Sequence, residues 1–333
     1  MPKLISPVDV NIKYLVSKFL HVLLKRRSKF PHHAHIEINN VCNYTCKMCP
    51  RDKFLKKEEI RNIDSETFKV IAERCTGIPL FTLAGFGEPL CDPHFFALVE
   101  ILHRVHPDAW IRVITNGFFL SEENCRKFAS SAISEIQISI DALEYANESM
   151  GHPINDIEKK VINLSHAYLT HRKDPPLVIT TVMTHDTYGS LENMFKLART
   201  VKAHYINITR MDYVLGRGQV RPDITLEKKI YSRAQKLSRQ YQLPVRLKNR
   251  FNIAMKIATV NSRHCPLLSD YIYITVDGKV APCCVQRNFV IGDIIKESLE
   301  TIWTHPERFA HFDSERGKLC KDCDHIFEHQ KGQ

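Results

Sequence analysis

The sequence predicts an α/β protein in which six β/α units in series curve a parallel sheet into a partial or full barrel, with a smaller cysteine-bearing part behind it. Three observations lead there. Short apolar runs alternate with helix-like stretches from His35 to about Arg210, three cysteines crowd into Cys42–Cys49, and cysteines reappear after a Lys- and Arg-rich stretch.

The strand candidates are His35–Ile38, Leu80–Leu83, Ile111–Thr115, Glu135–Ile140, Leu177–Val182 and Tyr205–Thr209. Between them lie helical patterns such as Ser65–Arg74, with a Ser/Glu start, and Pro93–Val105. Such barrels carry their chemistry on loops at the carboxyl ends of the strands. Ahead of the barrel, residues 12–27 read as an amphipathic helix. Ile12, Leu15, Val16, Phe19, Leu20, Leu23 and Leu24 recur at helical spacing, with Lys13, Lys18, Lys25, Arg26 and Arg27 elsewhere. It either packs on the rest of the chain or lies on an anionic membrane surface as a peripheral contact. The expected divisions are 1–30 for this helix, 31–220 for the barrel, 221–262 for a helical connector and 263–333 for the C-terminal part. In that last part, Tyr271–Val280 reads as a hairpin around Asp277-Gly278.

Composition narrows the class. With 44% hydrophobic and 25% charged residues, 12 Gly and 16 Pro among 333, the chain is neither disordered nor collagen-like. No run approaches the ~18 apolar residues that would read as a membrane-spanning helix. The net charge of +10 points to an anionic partner: a phosphorylated substrate, a lipid surface or nucleic acid. Nucleic acid is disfavoured, because the basic charges are spread along the chain and aromatics do not interleave with them. The 11 cysteines are decided by spacing. Neighbours as close as Cys42, Cys46 and Cys49, or Cys320 and Cys323, converge on a metal more readily than they form a disulfide network, and no cleavable signal peptide is evident. The reading is a cytoplasmic, metal-binding protein.

After the first strand comes Asn39-Asn40-Val41-Cys42-Asn43-Tyr44-Thr45-Cys46-Lys47-Met48-Cys49-Pro50. Soft thiolates select zinc, copper(I) or iron–sulfur clusters. Three in one loop can hold three corners of a cubane and leave one iron open; zinc would want a fourth Cys or His close by, and His32, His33 and His35 are near.

At these residues the chain resembles the radical S-adenosylmethionine (AdoMet) superfamily, whose signature is this spacing with a hydrophobic residue, here Met48, before the third cysteine. The resemblance continues at successive strand ends. Ala84-Gly85-Phe86-Gly87-Glu88-Pro89 looks like the family's "GGEP" turn, Thr115-Asn116-Gly117 like its "TNG" segment, and Ser139-Ile140-Asp141 like its "SiD". It implies a partial (β/α)6 TIM-like barrel, a 4Fe–4S cluster on Cys42, Cys46 and Cys49, and AdoMet bound by Met48, Gly87, Glu88, Asn116, Ser139 and Asp141. Reductive cleavage of AdoMet would give a 5′-deoxyadenosyl radical, with electrons from a donor such as flavodoxin or ferredoxin. Many relatives have an Arg-Gly pair where this chain has Ser149-Met150-Gly151, so Arg210 becomes the candidate partner of the AdoMet carboxylate.

Cys265, Gly278-Lys279-Val280-Ala281-Pro282-Cys283 and Cys320-Lys321-Asp322-Cys323 resemble a SPASM/twitch extension. That implies a second, auxiliary 4Fe–4S cluster on Cys265, Cys283, Cys320 and Cys323, with a four-cysteine structural zinc as the alternative reading. Cys283 and Cys284 are adjacent, and on a strand they would face opposite ways. Cys283 is the expected ligand, and Cys284 a buried thiol or a hydrogen donor. The expected function is a radical oxidoreductase of dehydrogenase type acting on a small sugar, cyclitol or lipid-linked substrate, with the auxiliary cluster accepting an electron. A Cys-dependent epimerase, a peptide-modifying enzyme and a non-catalytic zinc scaffold are the other readings. Arg217 and Arg221, flanking glycines beyond the sixth strand, would clamp an anionic group of that substrate.

Overall fold

Alternation sets the sheet. In His33–Ile36 (β1), Ala34 and Ile36 are fully buried while His33 and His35 are only partly so, because successive side chains leave a strand on opposite faces. The computed structural model of the chain describes residues 30–46, 49–141, 156–171, 173–210, 222–247 and 270–305. After β1 come a short helix α1 (Arg51–Phe54), then α2 (Ser65–Arg74), β2 (Leu80–Leu83), α3 (Phe95–Val105), β3 (Trp110–Thr115), α4 (Glu122–Ser130) and β4 (Glu135–Ser139). The series continues with α5 (Ile157–Thr170), β5 (Leu177–Met183), α6 (Thr187–Thr200), β6 (Tyr205–Arg210), α7 (Ile224–Gln240) and β7 (Val245–Leu247). It ends with β8 (Tyr271–Ile274), β9 (Lys279–Ala281), β10 (Gly292–Asp293) and α8 (Leu299–Thr304).

The ten strands form one sheet in the order β10-β9-β8-β1-β2-β3-β4-β5-β6-β7. Every neighbour from β8 to β7 is parallel, and only β8–β9 and β9–β10 are antiparallel. Helices cross between consecutive parallel strands, as such connections require. Three of them start on a side-chain cap: Asp64 accepts from Thr67 N at 2.8 Å, Ser121 from Asn124 N at 3.2 Å and Asp223 from Leu226 N at 2.7 Å, whereas α3, α5 and α6 start without one. One core lies between helices and sheet, with Phe68, Ile71, Phe95, Leu98, Phe128 and Phe195 from the helices against Ile36, Phe81, Val113, Ile138 and Ile206 from the strands. The opposite, inward face of the strands mixes polar side chains such as His35, Thr82, Arg112 and Gln137 with apolar ones such as Ile114 and Val178.

The fold is the α/β partial barrel that the sequence predicts, with three differences. β1 starts two residues earlier than expected, at His33. The connector is not merely helical, because Val245–Leu247 adds a seventh parallel strand beside β6, with Ile206 opposite Val245. The C-terminal hairpin does not stand apart either: β8 pairs with β1, with His33 opposite Tyr271 and Ile36 opposite Ile274. The helix expected at residues 12–27 lies outside the described residues. No helix among the described residues is long and apolar enough to cross a membrane.

Phe81 is fully buried within the core. Phe81→Ala should lower stability by about 3–5 kcal/mol, whereas Val290→Ala, at a residue 52% exposed, should stay within about 0.5 kcal/mol. Chemical denaturation of the two variants checks this.

Candidate active site

The loop that leaves β1 is pinned from both sides. Asn39 Nδ2 donates to the Glu88 carbonyl at 2.8 Å. Asn40 Oδ1 accepts from Arg61 N at 2.6 Å while its Nδ2 donates to the Glu59 carbonyl at 2.9 Å. Held in this way, the loop presents Cys42, Cys46 and Cys49 to a cavity of about 300 Å³ at the carboxyl ends of β1 to β4. None of the three is in a disulfide. Burial, with the neighbouring Cys49 and Cys42 thiols, pushes the Cys46 thiol up to about 12, and burial likewise raises Cys42. They are therefore thiols in the metal-free chain, and a cation that binds them must displace protons.

Those donors fit an iron–sulfur cluster better than a single zinc ion. Among the described residues no group of three or more His, Cys, Asp and Glu side chains gathers around one metal-sized point. Zinc would need its thiolates about 2.3 Å from one centre, whereas a cubane takes each thiolate at a different corner.

The turn after β2 packs directly on this loop. A Cβ on Gly87 would stand 2.6 Å from the Val41 carbonyl, and one on Gly85 would stand 2.5 Å from Glu37 Cγ. Both positions therefore require glycine for close approach. Glu88 N donates to the Val41 carbonyl at 2.8 Å. The Glu88 carboxylate is buried and accepts from Thr115 Oγ1 at 2.6 Å, Asn116 N at 2.7 Å and Leu90 N at 3.2 Å. Burial raises it to about 7, against those three donors, which favour its ionised form. Glu88 thus braces the β3 loop as well as lining the cavity. Asn116 Nδ2 completes the layer by donating to Asn43 Oδ1, in the cysteine loop, at 2.9 Å.

Ser139 and Asp141 line the far wall. Asp141 accepts from Val182 N at 2.7 Å, and burial raises it to about 6. Lys160 of α5 reaches the mouth: its Nζ donates to the Phe118 carbonyl at 2.6 Å and lies 4.7 Å from the centre of the Phe118 ring. Tyr44 meets Phe118 edge-on, with ring centres 5.7 Å apart. Lys160, Phe118 and Tyr44 carry no sequence signal of their own. A lone lysine on a helix becomes legible only once the fold brings that helix to the strand ends.

Gly87, Glu88, Asn116, Ser139, Asp141 and the three cysteines thus share one cavity. Arg210 does not join them. It is buried in an ion pair with the buried Glu227 of α7. Met48, Arg217, Arg221, Cys265, Cys320 and Cys323 lie outside the described residues. Cys283 and Cys284 fall in a bend beyond β9 rather than on a strand. The opposite-face expectation therefore does not hold, and both pack with Tyr271 and Tyr273. Arg210→Met should cost about 3–5 kcal/mol by removing the cation of a buried ion pair, and Arg210→Met with Glu227→Met should recover much of it in thermal unfolding.

Residues 36–198 match the family model of the radical SAM superfamily, and residues 265–324 match that of SPASM, an iron–sulfur cluster-binding domain. The chain is 23% identical over 304 residues to the S-adenosyl-L-methionine-dependent 2-deoxy-scyllo-inosamine dehydrogenase of Niallia circulans, covering 87% of this chain and 92% of that protein. It is also 23% identical over 303 residues to the mycofactocin maturase MftC of Mycolicibacterium smegmatis, covering 87% and 74%. The crystal structure of Streptococcus suis SuiB bound to the precursor peptide SuiA matches with a TM-score of 0.71 at 15% identity, over 95% of this chain and 75% of that one. BtrN in complex with AdoMet and 2-DOIA matches with a TM-score of 0.51 at 18% identity, over 89% and 94%. These likenesses bear on the fold, while the family matches bring with them S-adenosylmethionine, a 4Fe–4S cluster and auxiliary iron–sulfur. The chain belongs to the radical SAM superfamily and carries a match to the SPASM iron–sulfur domain after its radical SAM region in the sequence.

Proposed function

We propose that this enzyme dehydrogenates a small, hydroxyl-bearing molecule by a radical route. The observation that carries the reading is the set of polar side chains that the strands turn into the barrel interior, below the cavity at their carboxyl ends. His33 Nε2 meets Thr82 Oγ1 at 2.8 Å, Arg112 Nε donates to Glu135 Oε1 at 2.6 Å and Gln137 Nε2 donates to the same oxygen at 2.7 Å. Arg246 donates to the Tyr205 hydroxyl at 3.1 Å. The buried Thr180 hydroxyl has no hydrogen-bond partner among the described residues. A barrel interior that holds so many donors and acceptors suits a polyol or aminocyclitol better than an apolar chain. The dehydrogenase relative, aligned over most of both chains, supports the same choice.

In this reading Cys42, Cys46 and Cys49 hold the catalytic cluster. Held there, the cluster and AdoMet would supply radical abstraction of a hydrogen atom from a substrate carbon, the auxiliary iron–sulfur cluster would supply an acceptor for the second electron, and the hydroxyl proton would pass to water. The backbone of Gly85–Gly87, with Glu88, receives the AdoMet ammonium, and Asn116, Ser139 and Asp141 hold the rest of the molecule. Met48 would add an apolar contact. Lys160, rather than Arg210, neutralises the AdoMet carboxylate, since its ammonium is at the cavity and Arg210 is engaged with Glu227. Cys265, Cys283, Cys320 and Cys323 hold the auxiliary cluster, and Arg217 and Arg221 clamp an anionic group on the substrate. Divisions of the sequence at residues 30, 220 and 262, the last two spanned by the single ten-stranded sheet, a flavodoxin- or ferredoxin-type donor, a cytoplasmic location and a peripheral membrane contact through residues 12–27 complete the proposal.

The second reading is an epimerase with Cys284 returning hydrogen, which its place beside Tyr271 and Tyr273 favours. A peptide substrate is the third, in keeping with the SuiB likeness. A panel of aminocyclitols deuterated at each carbinol carbon tests the choice. Dehydrogenation moves the label into 5′-deoxyadenosine and yields a ketone in equal amount. Solvent deuterium at a product carbon of unchanged oxidation state would overturn it for the epimerase.

A further inference from the structure

Glu37, the residue after β1, is completely buried, and its carboxylate ties together three separate parts of the chain. It accepts from Phe86 N at 3.3 Å, from the Tyr273 hydroxyl at 3.1 Å and from Arg287 Nη2 and Nε at 2.9 and 3.3 Å. Phe86 belongs to the glycine turn of the cavity. Tyr273 lies on β8, and Arg287 is four residues beyond Cys283. Arg287 is 8% exposed. Neither Glu37 nor Arg287 lines the cavity.

A buried ion pair adds little net stability over an apolar pair of the same volume, but removing one partner leaves a stranded charge. Here the stranded charge would be that of Glu37, directly beneath Gly85 and Phe86, where the contact is too tight for even a methyl group. The guanidinium that balances it comes from the C-terminal part, and a two-pronged donor fixes orientation as well as charge. The turn is thus held from two sides, by Glu37 through Phe86 N and by Val41 through Glu88 N.

We propose that Glu37 and Arg287 are positioning residues that set the cavity's glycine turn, so that AdoMet binding depends on the docked, cysteine-bearing C-terminal part. This rests on the reading above that the cavity takes AdoMet. Coupling is reciprocal: AdoMet in the cavity tightens the docking of that part, and loosening the docking weakens AdoMet.

The test is isothermal titration of AdoMet into anaerobically reconstituted full-length protein, with iron content measured in parallel. Arg287→Met should raise the AdoMet Kd about fivefold or more with iron content unchanged. Glu37→Gln with Arg287→Met should recover most of the affinity, because both charges are gone. A lowered melting temperature with an unchanged Kd in Arg287→Met would overturn the proposal, as would a double variant that loses as much as the two single losses combined. Should Arg287→Met not fold, Arg287→Lys keeps the charge but not the fork, and it should raise Kd by a smaller factor; an unchanged Kd there overturns the proposal too. Wild-type protein that holds its iron and binds no AdoMet would instead sink the reading of the cavity.

Discussion

β1 is hydrogen-bonded on both sides, to β2 through His33–Leu80 and to β8 through His33–Tyr271, in two parallel ladders. The function depends on that double pairing. Its even-numbered residues, Ala34 and Ile36, enter the core under the helices, while the odd-numbered residues turn inward. The loop leaving it carries the three cysteines. Its β2 neighbour delivers the glycine turn, and its β8 neighbour brings the Cys283–Arg287 segment within reach of Glu37. A slip of one residue in either ladder would put Glu37 among Phe81, Leu83 and Ile274 and leave Ile36 facing the cavity.

Above the ladders, the loops at the strand ends hold one another more than they hold to the core. Asn39 and Val41 fasten to the β2 turn, Glu88 to the β3 turn and Asn116 back to Asn43, so a closed circuit of hydrogen bonds links the cysteine loop to the two turns beside it. Such a circuit pre-orients polar groups before any ligand arrives and limits the reorganisation that binding demands. Burial raises both carboxylates, Glu88 and Asp141, against the backbone and side-chain donors that favour their ionised forms.

Much of this was legible in the sequence, for local reasons. Leu80–Leu83 and Ser65–Arg74 have the observed bounds, because an apolar run and a capped amphipathic stretch announce themselves within a few residues. The cysteine spacing and the strand-end turns were equally local. What escaped was long-range or weakly patterned. β7 is three residues with a charged centre, too short for an alternation to register. The pairing of β1 with β8 leaves no mark in either segment, and Glu37 meets Arg287 across 250 residues of sequence. Arg210 shows the same limit: its strand-end position was readable, but its ion pair with Glu227, on a helix whose packing was not, lay beyond the sequence.

Cys42, Cys46 and Cys49 as the ligands of the radical-generating cluster are the claim on which the proposed chemistry stands. Its most direct measurement is iron content together with dithionite-driven AdoMet cleavage, in anaerobically reconstituted wild-type protein and in the Cys42→Ala, Cys46→Ala, Cys49→Ala triple variant. The expected result is a loss of about four irons per chain with no 5′-deoxyadenosine formed, while the remaining iron stays bound. Undiminished iron, or continued cleavage of AdoMet by the triple variant, would contradict it.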